Sequence, residues 1–194
     1  MAAFGGCLVV LVGLAFLAAI WAIWRYNNLV TLKNQVANAW KQIDVQLKRR
    51  HDLIPNLIAS VKGEMQFEQD TLEKVIQARN SAVAAQGVAD TAARENQLTQ
   101  TLSRLFALAE NYPNLKANES VKSLMEELTS TENKIGFARQ FYNDLATRFN
   151  TAQEIFPDSF IAKTFNFQRV ELFEIAVPAE REVPQVDLNL RPRS

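Results

Sequence analysis

An uninterrupted apolar run at the N-terminus is the feature that most constrains the fold of this chain. Residues 2–24 include no charged side chain. A helix of that length rises by roughly 34 Å, which exceeds the hydrocarbon thickness of a bilayer, about 30 Å. The run therefore predicts a transmembrane anchor over residues 1–24, with the lipid bilayer as the partner of residues 2–24.

A secretory signal peptide is the main alternative for this run. Such a peptide needs a basic region before the apolar stretch and a small-x-small cleavage site after it. No basic residue precedes the run, and no A-x-A occurs in it. A lipoprotein signal fails similarly, because only a short stretch precedes Cys7. We therefore expect the segment to be retained as a span, with Cys7 as a small apolar residue within it.

The residues that follow the run predict its orientation. Aromatic side chains suited to the headgroup region stand at its end: Trp21, Trp24 and Tyr26. Three basic residues come before the first acidic one, Asp44: Arg25, Lys33 and Lys41. The positive-inside rule then places the N-terminus outside and the following domain in the cytoplasm.

The remainder of the chain is long enough for one domain with its own core. Its charges balance, with 21 basic and 21 acidic residues in the whole chain, so nucleic acid has no electrostatic support as a partner. With Cys7 as the single cysteine, the chain can build neither an internal disulfide nor a cysteine-based zinc site.

Apolar residues at spacings of three and four predict helices throughout this domain. No Gly or Pro occurs between Leu14 and Ile54, so the anchor is expected to continue into the first helix, which kinks or stops near 51–54 because of Pro55. A second helix is predicted from Pro55 to about Ala85. Asp90 is expected to cap a third helix, which ends at Tyr112 and Pro113.

The most regular periodicity predicts a long helix from about Asn118 to Ile155, roughly 57 Å in length. Pro157 ends it, and Asp158 is expected to cap a short helix before apolar residues that close the end of the bundle. The predicted fold is all-α: an N-terminal transmembrane helix, then an antiparallel, elongated four-helix bundle over residues 25–175. Residues 176–194 hold three of the six prolines and are predicted to form an extended or disordered tail.

Catalytic and metal-binding motifs are missing from the sequence. The only histidine is His51, so the Glu-x-x-His pairs of di-metal bundles and H-E-x-x-H zinc sites are excluded. His51 is expected to lie at the surface or to form an interhelical hydrogen bond. Two carboxylate pairs are the remaining candidates for cation binding or acid–base chemistry: Glu64 with Glu68 on one face of the second helix, and Glu126 with Glu127. A solvated polar face is the simpler explanation for both pairs.

A charged run before Pro55 is the candidate for partner docking: Lys48, Arg49, Arg50, His51 and Asp52. On a straight helix Lys48 lies roughly 36 Å beyond Trp24, several Debye lengths of about 8 Å, so the run does not serve as a lipid patch. Its cations either pair with acids on neighbouring helices or present a docking surface.

The segment AWKQIDVQLKRRHDLIPNL, residues 39–57, resembles the signature of the bacterial LemA family. Shorter stretches extend this resemblance: Tyr26-Asn27, Val61-Lys62-Gly63, Ala78-Arg79, Phe141-Tyr142-Asn143, Phe156-Pro157 and Phe165-Asn166-Phe167. The resemblance implies a bacterial inner-membrane protein with an antiparallel helical bundle. It implies no catalytic residue, ligand or cofactor.

From these observations we predict a non-enzymatic, single-pass membrane scaffold without a cofactor. Its partners are expected to be further copies of itself or other membrane proteins. The alternative is a cation-dependent enzyme that uses the Glu64 and Glu68 carboxylates.

Overall fold

A computed structural model describes the backbone of residues 2–174 and the side chains of residues 11–174. Within these residues the chain is all-helical, as predicted, and contains no strand. The helices are α1 Ala2–Val61, α2 Gln69–Val83, α3 Gly87–Ala109, α4 Pro113–Ala117, α5 Glu119–Glu154 and α6 Asp158–Thr164. The predicted tail, 176–194, lies outside the described residues.

Two long helices, α1 and α5, pack antiparallel and form the main axis of the fold. Residue numbers fall along α5 as they rise along α1: the Trp40 ring lies 5.5 Å from that of Tyr142, and Arg49 pairs with Glu127 further on. The predicted long helix is confirmed, since α5 has 36 residues and Asn118 caps it by accepting hydrogen bonds from the Ser120 and Val121 amides. Its apolar stripe buries Val121, Leu128, Ile135, Tyr142 and Phe149.

The α2–α3 hairpin packs against the distal half of this pair. One core cluster joins the end of α1 to the hairpin, α4 and the beginning of α5, with Ile54, Leu57 and Val61 at its α1 side. A second cluster fills the middle of the α1–α5 interface, and a third lies between α1 and α6. The predicted all-α class is therefore confirmed, whereas the elongated four-helix bundle stays a prediction.

The predicted helix end near Pro55 is wrong, because α1 continues through this residue to Val61, whereas the alternative of a kink stays a prediction. The second helix begins at Gln69 rather than at Pro55, and the apolar residues Leu57, Ile58 and Val61 belong to α1. Burial of these side chains against the hairpin stabilises the extra helical turns. The predicted caps also shift: Gln86 and Pro157 occupy the N-cap positions, and Asp90 and Asp158 lie within the first turns.

After α6 the chain returns along α5 as an extended segment, residues 167–174. The Asn150 side chain accepts from the Val170 amide and donates to the Val170 carbonyl, and Asn143 forms the same two bonds with Phe173. Seven helical residues rise by about 10.5 Å, and three extended residues span about 10 Å, so the two amides match the two backbone positions. This paired-asparagine clamp holds Phe173 in the middle core cluster.

The N-terminal part of α1 projects beyond α6, and residues 11–20 are exposed throughout. In the region that the structure describes, no helical stretch is both long and apolar enough to cross a membrane. The predicted anchor includes residues 2–10, whose side chains lie outside that region.

Candidate functional site: a buried ionic network

The charged run of α1 lies where the α2–α3 hairpin meets the α1–α5 pair. Successive residues of a helix point in different directions, so the five members have different surroundings. Lys48 and Asp52 are exposed, and Arg49 forms an exposed ion pair with Glu127, at 2.6 Å. Arg50 and His51 point inward. The predicted pairing with acids on neighbouring helices is thus confirmed for Arg49 and Arg50, while the docking surface stays a prediction.

Arg50 is the centre of the network. Its side chain is 1% exposed and forms ion pairs with Glu95 of α3 and Glu132 of α5. Glu95 is fully buried, whereas Glu132 reaches the surface. The Thr99 hydroxyl accepts a hydrogen bond from Arg50 Nη1 at 3.0 Å and lies 3.0 Å from Glu132 Oε1. Burial lowers the pKa of the Arg50 guanidinium, and attraction to Glu132 opposes that shift. One cation therefore ties three helices together.

His51 occupies the second oxygen of the Glu95 carboxylate. Its Nε2 lies 2.7 Å from Glu95 Oε1, which confirms the predicted interhelical hydrogen bond. Burial, followed by repulsion from Arg50 and Arg79, lowers the pKa of His51 to about 4. At neutral pH the ring is therefore uncharged, and Nε2–H donates to the carboxylate.

The backbone of the same turn explains how Pro55 is accommodated. A proline inside a helix has no N–H to bond the carbonyl four residues earlier, which here belongs to His51. Arg79 of α2 supplies the missing donor, because its Nε donates to the His51 carbonyl at 2.7 Å. The hairpin thus completes the hydrogen bonding of α1 at the position where its sequence interrupts it.

Arg79→Met is expected to lower the free energy of unfolding by about 1–3 kcal/mol, because it leaves the His51 carbonyl without a donor. In a Pro55→Ala background the restored amide satisfies that carbonyl, so the same replacement should cost clearly less. Urea unfolding of the four chains of this cycle, followed by circular dichroism, measures the difference. An equal cost in both backgrounds would argue against the backbone role of Arg79.

His51 makes the stability depend on pH, and the groups facing it are Glu95, Arg50, Arg79 and Asp52. Its folded pKa of about 4 lies below the ordinary value near 6.5, so between these values the unfolded chain binds more protons. The uncharged His51 ring therefore contributes to the free energy of unfolding above about pH 6.5. This contribution, up to ~3 kcal/mol, is lost as the pH falls towards 4.

His51→Gln tests this dependence, because the amide still donates to Glu95 but does not titrate. We expect the free energy of unfolding of the variant to fall less steeply than that of the natural chain between pH 6.5 and 4. Parallel curves in a pH series of urea titrations would contradict the role assigned to His51.

The two carboxylate pairs do not assemble into a common site. Glu64 and Glu68 lie in the connection between α1 and α2, not on a helix face as predicted, and accept hydrogen bonds from Asn114 and Tyr112. On α5, Glu126 lies 3.9 Å from Lys122 and Glu127 pairs with Arg49. Among the described residues, no group of three potential metal ligands comes together.

The chemical capacity of the network is mainly structural. Arg50 and His51 enclose the Glu95 carboxylate. The outer edge of the network, at Thr99 and Glu132, borders an open groove of about 200 Å³. Sequence reasoning missed Glu95, Thr99 and Glu132. A usable signal exists for Glu95, which lies three residues before Leu98 on the apolar stripe of α3.

Comparison with known proteins places this network in a family context. The model of the LemA family matches residues 39–188, which include the charged run, Arg79, Glu95, Glu132 and the paired-asparagine clamp. The chain belongs to the LemA family. The resemblance noted from the sequence is thereby confirmed, and the network lies wholly inside the residues that the family model matches.

Relatives of this LemA family member carry two kinds of name. Protein LemA of Metamycoplasma hominis is 28% identical over 169 residues, covering 86% of this chain and 74% of the relative. Magnetosome protein MamQ 2 of Paramagnetospirillum magneticum is 25% identical over 186 residues, covering 82% and 68%. Magnetosome protein MamQ of Magnetospirillum gryphiswaldense is 24% identical over 198 residues, covering 88% and 73%.

Proposed function

We propose that this LemA family protein is a non-enzymatic scaffold anchored in the bacterial inner membrane by residues 2–24, with its helical bundle in the cytoplasm. The observation that carries the proposal is the exposure of the apolar helix at residues 11–20. A helix that is apolar on all sides needs an apolar environment, which a bilayer supplies. Among the described side chains of α1, packing with the rest of the chain begins near Trp21 and Ala22.

The antiparallel packing of α1 and α5 supports the scaffold role. From Trp24 to Val61, α1 rises by roughly 55 Å without a break, so its end lies far from the proposed membrane surface. The buried network fixes the α2–α3 hairpin to this rod through Glu95 and Thr99. An elongated bundle whose hairpin is fixed to the two long helices can present binding surfaces at a constant distance from the bilayer.

An exposed apolar groove between α1 and α5 is the surface we assign to partners. Val45, Phe137 and Phe141 line this groove, and all three side chains are exposed. Lys41 and Lys134 also line the groove, so an apolar segment with acidic residues fits it best. The occupant is a second copy of this chain or another membrane protein.

Site-specific photocrosslinking in intact cells tests this function. A photoreactive residue at Phe137 is expected to capture a reproducible partner, either a second copy or another membrane protein, and the chain should remain in the membrane after alkaline extraction. The same residue at the exposed Gln97 of α3 is the control. No capture at position 137 above this control would count against the scaffold, and alkaline release would count against the anchor.

A further inference from the structure

The turn from α5 into α6, and the end of α6, expose large aromatic side chains. Phe156 is 84% exposed, Phe160 69% and Phe165 56%, and Ile155 is exposed beside them. Clustered apolar side chains of this size on a protein surface mark a contact with a partner or a membrane. None of these residues belongs to the ionic network or to the groove at Phe137.

The position of α6 along α1 indicates what covers these aromatics. Ile161 and Ala162 pack on Leu29, and Trp21 and Ala22 border the same cluster. The Phe165 ring lies 4.7 Å from that of Tyr26. Residues 21–29 of a helix span about 12 Å, so α6 lies within that height, directly beside the end of the apolar run.

Arg25 fixes the beginning of α6 at this height. Its Nε lies 3.0 Å from Asp158 Oδ1, and its guanidinium lies over the Trp24 and Trp21 rings, at 5.0 and 5.9 Å. The Asp158 carboxylate is therefore neutralised where a free anion would be repelled by anionic lipid. Lys163, near the end of α6, is exposed and suits phosphate headgroups.

We propose that residues 155–165 form a second membrane contact, in which Phe156, Phe160 and Phe165 enter the headgroup layer beside Trp21 and Trp24. This inference rests on the proposed anchor, because the bilayer must surround α1 up to its aromatic residues. With α6 packed against the same turns, the lipid surface meets both elements. Two contacts, rather than one, then fix the angle between the bundle and the membrane.

Single nitroxide labels on the full chain in phosphatidylcholine–phosphatidylglycerol vesicles test this contact. In a Cys7→Ser background, which removes the only cysteine, the label is placed at Phe160→Cys or, as the control outside the groove at Phe137, at Gln97→Cys. Both side chains are exposed, but Gln97 follows Glu95, the partner of Arg50, and Arg50 lies roughly 32 Å along α1 from Leu29 of the α6 cluster. The readout is the ratio of collisions with oxygen, which partitions into lipid, to collisions with a water-soluble nickel chelate.

We expect a several-fold higher ratio at position 160 than at position 97, with both chains floating with the vesicles and retaining their helical content. Equal, water-like ratios on floating chains would overturn the second contact and leave the anchor standing. Chains that do not float would overturn the proposed anchor and, with it, this inference.

Discussion

Arg50→Ala is expected to lower the free energy of unfolding by about 3–5 kcal/mol, the usual effect of removing one partner from a buried ion pair. The Glu95 carboxylate is fully buried and, of the side chains that the structure describes, would keep only His51 as a partner. A loss of this size is a large share of the 5–15 kcal/mol that stabilises a typical domain. Urea unfolding of the full chain, followed by circular dichroism, measures it.

The neighbouring residue is the matched control. Arg49 has the same side chain on the same helix, but its pair with Glu127 is exposed, so Arg49→Ala should cost less than about 1 kcal/mol. Combining Arg50→Met with Glu95→Leu should recover most of the loss, because no buried charge then lacks its partner. If Arg49→Ala and Arg50→Ala destabilise equally, the network does not hold the bundle together.

Phe149→Asp should be at least as damaging, with an expected cost above about 4 kcal/mol. The replacement removes a buried aromatic side chain and places a carboxylate in the α1–α5 core without a partner. The Phe149 ring also packs against Phe167, at 6.2 Å, so the return of the chain after α6 loses a contact. We expect loss of cooperative unfolding or a strongly lowered melting temperature.

Phe137→Asp is the matched control on the same helix. Phe137 is 74% exposed and Phe149 only 1%, so the same change should alter stability by less than about 1 kcal/mol at position 137. With the photoreactive residue moved to Val45, Phe137→Asp should also weaken crosslinking from the groove. Melting of Phe149→Asp like that of the natural chain would mean that the stripe of α5 does not face the core.

The apolar periodicity was sufficient to predict the all-α class and the long helix α5, but not the length of α1 or the network. Treating Lys48, Arg49 and Arg50 as one basic run hides the fact that successive helix residues lie about 100° apart. On α1, Arg50 lies on the same helix face as the apolar residues Ile43 and Leu47, three residues after Leu47. On α3 the stripe through Leu98 leads back to Glu95. Opposite charges at two core positions predict a buried ion pair, and this pattern is visible in the sequence.

Other features depend on contacts between residues far apart in the sequence, which the patterns of neighbouring residues do not predict. Pro55 predicts a helix end because the rule considers only the helix itself, whereas the compensating donor, Arg79, lies 28 residues away from His51. Glu64 and Glu68 change their setting for the same reason, because the longer α1 moves them into a connection. The position of α6 beside Trp21 likewise depends on tertiary packing, which the spacing of residues does not reveal.

The paired-asparagine clamp fixes the number of residues in the part of the chain that returns along α5. Among the described residues, the side chains of Asn143 and Asn150 bond only to the main chain of Phe173 and Val170, so they fix the spacing of these two residues and do not constrain the side chains between them. Substitutions at Glu171 or Leu172 leave these hydrogen bonds in place. One inserted residue would instead displace the main chain of Phe173 or Val170 by about 3.3 Å from its asparagine. In this part of the molecule, length is a stricter requirement than composition.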